Sequence, residues 1–201
     1  NGTQDFSAQI AAFKKDGVEI VTGVMIPPDA KTFLTQSKQQ GFNPKVITLG
    51  KALLFPVGIE ALGDLGIGLT TEVWWSPSHP FSSSLTKQSA KDLAATYEKS
   101  SSKQWTQPLG FAHALFEVAA DALKRSKSVK SADLRDAIAA TDLHTIVGHV
   151  KWGGPGPFKN VSKTPLVLGQ WVKGSKHKVD LVIVNNETAK NIPTGGTLKP
   201  M

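Results

Sequence analysis

Over its first 75 residues the chain alternates short β-branched runs with amphipathic stretches that end at glycine, and this period restricts the fold more than any other feature. Asp5 to Lys15 carries Phe6, Ile10 and Phe13 at helical spacing, with Gly17 placed to stop the helix. Val18 to Val24 (V-E-I-V-T-G-V) then reads as a short strand, buried as in a parallel sheet, that ends at Met25-Ile26-Pro27-Pro28. Asp29 is placed to cap a second helix carrying Phe33, Leu34 and Ser37 and closing at Gly41. Lys45 to Leu49 forms a second strand, Val57 to Leu62 a short helical stretch, and Gly68 to Trp75 a third strand. Strands that alternate with helices at this spacing need right-handed crossovers onto a parallel sheet, so the class is α/β.

From Ser76 to Lys87 the composition turns to Ser, Pro, His and Phe, which marks a boundary. Residues 88 to 100, 108 to 126 and 131 to 140 read as helices, the last capped by Ser131 with Asp133 in its first turn. The helical block ends near Thr141. Strand-like runs return at His149 to Trp152, Leu166 to Val172 and Val179 to Asn185, the last two as a hairpin across Gly174-Ser175. Ile192 to Met201 is Pro- and Gly-rich and reads as irregular. The expected organisation is residues 1–75, an α/β part of one lobe; 76–144, helices of another; and 145–201, a crossover and closing strands of the first. Segments 74–80 and 145–152 then act as connections of a hinged clamshell in which a ligand bridges the cleft.

Several function classes fall away on composition and motif. The formal charge of the 201 residues is +7, but the lysines are scattered and Arg125 and Arg135 are the only arginines, so a solvated lysine surface fits better than a nucleic-acid site. There is no cysteine, which excludes disulfides and thiolate chemistry. No apolar run is long enough to span a bilayer. Neither a G-x-S-x-G elbow nor a phosphate-binding glycine loop occurs, and in Gly153-Gly154-Pro155-Gly156-Pro157 two prolines remove amide donors, which makes it a poor phosphate cradle. His79, His113, His144, His149 and His177 show no metal-ligand spacing. No cofactor, metal or catalytic residue is expected.

The residues resemble the type I periplasmic solute-binding proteins of ABC importers, in the branched-chain amino acid branch. The motifs that carry the resemblance are Asp5-Phe6-Ser7-Ala8-Gln9-Ile10 with Lys14-Lys15-Asp16-Gly17-Val18, the Gln36 to Gly41 turn, Gly63-Asp64 with Gly68, the Ala114 to Leu123 helix, Val147-Gly148 with Trp152, and Gly169-Gln170-Trp171. The resemblance implies a clamshell of two Rossmann-like lobes with three crossovers, of which this chain is an incomplete C-terminal part beginning at Asn1-Gly2-Thr3 without an initiator Met. The helices of 88–140 would then expose an apolar face unless a missing N-terminal segment or another copy covers it. The implied role is capture of a solute outside the cytoplasm and delivery to a membrane permease, in the periplasm or at the surface of a Gram-positive cell. A ligand-sensing domain of a receptor and a flavodoxin-like α/β enzyme are the alternatives.

The same resemblance points to loops at the carboxyl ends of the strands. The family's amino-acid binders place an aromatic hydroxyl in the first loop and a carboxylate in the second, where this chain has Ile26-Pro27 and Gly50-Lys51. A lysine suits the carboxylate of an anionic ligand. The candidate ligand-binding residues are therefore Met25, Ile26, Pro27, Lys51, Trp74, Trp75 and Phe81, and the expected ligand is a small carboxylate, aromatic or amino-acid-like. The bland alternatives are a solvated loop lysine at Lys51 and, because neighbouring strand residues face opposite ways, a core position for one of Trp74 and Trp75. Trp105, Trp152 and Trp171 are expected to be packing residues.

Overall fold

Strands β1 (Ile20–Val24), β2 (Val46–Gly50) and β3 (Thr70–Val73) pair in parallel, and β6 (Val167–Lys173) and β7 (Val179–Asn185) complete one five-stranded sheet in the order β1-β2-β3-β6-β7. The last two run antiparallel to their neighbours. This is a computed structural model, and it describes residues 2–154 and 157–201. Pro155 and Gly156 of the expected glycine-proline loop lie outside the described residues. Three helices accompany the parallel strands: α1 (Ser7–Lys15), α2 (Pro27–Gln39) and α3 (Pro56–Leu62). The elements α4 (Ala90–Ser101), α5 (Pro108–Arg125), α6 (Ser131–Ala139) and the hairpin of β4 (Asp142–Thr145) and β5 (Gly148–Lys151) lie between β3 and β6.

Contacts divide the chain into two units: Asn1–Val73 with Val167–Glu187 and Thr194–Met201, and Trp74–Leu166 with Thr188–Pro193. In the first, the main core lies on one face of the sheet. Ile10 of α1, Phe33 and Leu34 of α2 and Ile59 of α3 join Val21, Ile47, Leu49 and Trp171 of the strands in a single buried cluster. β1 departs from the expected strand buried on both faces, since it leaves Ile20 and Val24 66% and 77% exposed on the other face; β3, whose Thr70 and Thr71 are both buried, meets it. That second face carries a threonine pair, Thr48 and Thr70, whose hydroxyls bond each other. Gly169 of β6 lets the backbone come close to β3, since a Cβ there would meet Val73 Cγ2 at 2.5 Å and Leu181 Cδ1 at 2.8 Å.

The second unit has its own core, built from Trp75, Ala90, Leu93, Ala94, Ala114, Ile146, Val147 and Val150. Its helix α4 begins with a reciprocal capping box between Ser89 and Asp92. Glu117 of α5 is 1% exposed, and its carboxylate accepts bonds from the Ser84 amide (2.5 Å), the Ser84 hydroxyl (2.8 Å) and the Ile146 amide (3.0 Å). Among the described residues, no helix is long and apolar enough to cross a membrane.

Three local expectations change. Asp29 does not cap α2; the cap is Ile26, three residues earlier, because Pro27 and Pro28 fit the first two helical positions, leaving Asp29 in the first turn to accept the Gly2 amide at 2.9 Å. Ser131 is the first residue of α6 rather than its cap, which is Lys130. The strand Asp142–Thr145 has no counterpart in the sequence pattern; its polar D-L-H-T run acquires strand geometry by pairing with Gly148–Lys151 across a turn whose Ile146 and Val147 are buried among the helices. For the same reason this hairpin groups with the helices and not with the closing strands of 145–201.

Gly110 lies so close to the indole of Trp75 that a Cβ would overlap three of its ring atoms. Gly110→Ala is therefore expected to destabilise the second unit by about 2–3 kcal/mol through overpacking. Gly58→Ala in α3, whose Cβ would meet nothing nearer than Ala52 O at 3.7 Å, should be neutral or stabilising. Urea midpoints followed by tryptophan fluorescence check both.

Candidate functional site at the carboxyl ends of the parallel strands

The loop after β1 and the loop after β2 meet at one edge of the first unit, where the Met25 amide donates to Gly50 O at 3.4 Å. Met25 is half-buried and packs on the sheet core, Ile26 is half-buried, and Pro27 is exposed at the start of α2. A helix N-terminus ordinarily offers free amides to an anion. Here the first two positions of α2 are prolines and supply no N–H, so anion recognition at this edge falls to side chains.

Lys51 is exposed and holds φ +66°, a left-handed conformation that costs a non-glycine residue roughly 1–2 kcal/mol. Its amide donates to Glu72 Oε1 at 3.1 Å, and the Thr71 hydroxyl donates to Glu72 Oε2 at 2.9 Å. Gly50 makes room for this carboxylate, because a Cβ there would lie 3.3 and 3.4 Å from its two oxygens. The edge thus carries a carboxylate on β3 beside the lysine of the loop after β2. Sequence inspection of the loops alone finds no acid here and misses Glu72; the available signal is an acidic residue inside the otherwise buried T-T-E-V strand.

The remaining candidates belong to the second unit. Trp75 is fully buried, with its ring against Gly110 and edge-on to Trp105 at 6.1 Å, so it is a core residue with no surface for a ligand. Trp74 faces the other way and is half-buried, its ring 5.3 Å from Phe111 and its amide bonded to Gln107 Oε1 at 2.9 Å. Phe81 is half-buried beside His79 and Gly148. Trp171 is buried with its indole N–H on Leu53 O at 2.8 Å, and the Trp152 indole donates to Ile138 O at 2.5 Å, so both act in packing. His144 and His149 stack across the β4–β5 hairpin at 4.6 Å; hydrogen bonds from Lys151 and, second, from His149 Nε2 at 2.6 Å hold the Asp142 carboxyl down to about pKa 2. No group of three candidate metal ligands occurs among the described residues.

His79 is 3% exposed, and burial pushes its pKa down from 6.5 to about 4. The Ser76 amide donates to Nδ1 at 3.0 Å, which leaves the proton on Nε2, buried without a partner among the described residues. Because the folded pKa lies below the unfolded one, acid favours the unfolded chain. Stability is expected to be level above pH 6.5 and to fall between pH 6.5 and 4, by up to about 3 kcal/mol. Urea unfolding across that window tests this, and His79→Phe should flatten the slope.

A family model described as "Periplasmic binding protein" matches residues 1–176. No curated protein matches the chain. Among solved structures it is similar to a leucine-binding protein from Thermotoga maritima (21% identity, TM-score 0.73), with 92% of this chain and 50% of that one covered. A leucine-, isoleucine-, valine-, threonine- and alanine-binding protein from Brucella ovis in its closed conformation matches at 16% identity and TM-score 0.76, with 99% and 50% covered. A solute-binding protein of an ABC transporter from R. palustris, in complex with benzoate, matches at 15% identity and TM-score 0.64, with 93% and 50% covered. The chain spans about half the length of these structures.

Proposed function

Because the chain belongs to the periplasmic binding protein family, we propose that it forms part of an extracytoplasmic solute-binding protein that captures a small carboxylate and passes it unchanged to an ABC importer. The observation that carries the ligand class is the exposed Lys51 at the edge where α2 lacks its first two amides. Lys51 pairs with the ligand carboxylate, and Met25, Ile26 and Pro27 supply an apolar wall beside it. The benzoate bound by the R. palustris protein supports an aromatic acid as one member of that class. Trp74 and Phe81 are the aromatic candidates of the second unit, since Trp75 is wholly buried. The setting is the periplasm, or the outer surface of a Gram-positive cell, and the partner is a membrane permease. The sensor and enzyme alternatives draw no support from the family or from the three structures compared, which are binding proteins.

Glu72 favours a second reading, in which the ligand carries an ammonium as well as a carboxylate, as an amino acid does. Calorimetry on the complete gene product separates the two. Benzoate binding that Lys51→Gln weakens about tenfold, the scale of one charged hydrogen bond, is the expected result; leucine binding abolished by Glu72→Gln would replace it with the second reading. Lys51→Gly should weaken benzoate equally while raising stability by roughly 0.5–1 kcal/mol, since glycine relieves the left-handed strain.

Helix α5 presents Leu115, Phe116 and Leu123 at 72%, 70% and 55% exposure. We assign this face to the half of the family fold that the 201 residues do not span, in line with the 50% coverage of the matched structures. Sedimentation of the 201-residue chain is expected to show self-association relieved by Phe116→Lys, and the complete gene product should remain monomeric. A complete product that needs Phe116 to dimerise would make the face a contact between copies.

A further inference from the structure

At the amino end of the parallel strands, opposite the lysine edge, the first unit contains a cavity of about 260 Å³. The C-terminal half of α2 provides Leu34 and Ser37, the segment leading into β2 provides Phe42, β2 provides Ile47, and Leu65 and Met201 also line it. The wall of Met201 is fixed by backbone pairing: its amide donates to Lys45 O at 3.0 Å, and two residues earlier Lys199 exchanges bonds with the Gln170 side chain at 2.7 and 3.1 Å.

Ser37 supplies an independent observation. It is 3% exposed, and its hydroxyl has no hydrogen-bond partner among the described residues, although a serine inside a helix can bond the carbonyl one turn back. A buried polar group left unpaired costs roughly 1–3 kcal/mol. Apart from Ser37 the polar lining is Lys38, Asn43 and Asp64, and the rest of the walls is apolar. Lys38 and Asp64, which also line the cavity, carry opposite charges, so the site favours neither a cation nor an anion.

We propose that this cavity binds a small neutral molecule with an apolar body and one hydroxyl or carbonyl group, which pairs with Ser37. The volume lies just under the roughly 300–1,000 Å³ of drug-sized pockets, so the ligand is of single-ring size. The site stands on α2 at the far end from Pro27 and does not depend on the identity of the transported solute.

Phenol is a suitable probe. Titration of the isotope-labelled protein should give saturable shifts below about 10 mM, as expected for a seven-atom ligand, confined to residues around Leu34, Ser37, Ile47 and Leu65. Intermolecular NOEs should connect the ring protons to the Leu34 and Ile47 methyls. Ser37→Ala is expected to weaken binding about three- to tenfold, and Leu65→Trp, which fills the space, to abolish it. Non-saturable shifts, absence of those NOEs in the unaltered protein, or equal binding by the Leu65→Trp variant would overturn the proposal and leave the cavity to water.

Discussion

The five-stranded sheet depends on one non-local pairing, that of β3 with β6. Three parallel strands arise within the first 73 residues, but the packed cluster is closed by Trp171 and Val179, which come from the returning hairpin. Gly169 permits the approach, and the Trp171 indole then fastens the loop after β2 through Leu53 O. The loop that holds Lys51 therefore rests on a residue more than a hundred positions away. Its precision comes from the strand pairing of the whole unit, as a binding edge on an open α/β sheet requires.

Much of this was legible in the residues. The alternation of β-branched runs with helices fixed the parallel order, and the β7 hairpin strand coincides with the V-D-L-V-I-V-N run. What escaped was set by partners distant in sequence. Asp142–Thr145 has no strand pattern of its own and is held by β5 and by the burial of its turn. Strand β1 looked buried on both faces because β-branched residues do not say which neighbour covers them. Glu72 is invisible in the loop sequences because it lies on the neighbouring strand, and register, not sequence proximity, brings it to Lys51.

The edge combines strain and charge. Lys51 occupies a backbone region that nothing about lysine favours, and a carboxylate on the adjacent strand holds it there. Cation and anion within one small edge make the recognition of a ligand a matter of which partner the lysine finds. The two prolines at the head of α2 sharpen this, since they remove the backbone donors that would otherwise bind any anion alike.

The carboxylate of Glu117 has a wider effect than its three hydrogen bonds suggest. It draws on the loop at Ser84 and on the hairpin turn at Ile146 from a position inside α5, and it is closed off from solvent. Withdrawing either segment would leave a buried acid short of donors, a penalty steep enough that the two loops cannot loosen independently. The Ser84 loop, α5 and the hairpin turn are therefore coupled, and loosening one weakens the hold on the other two.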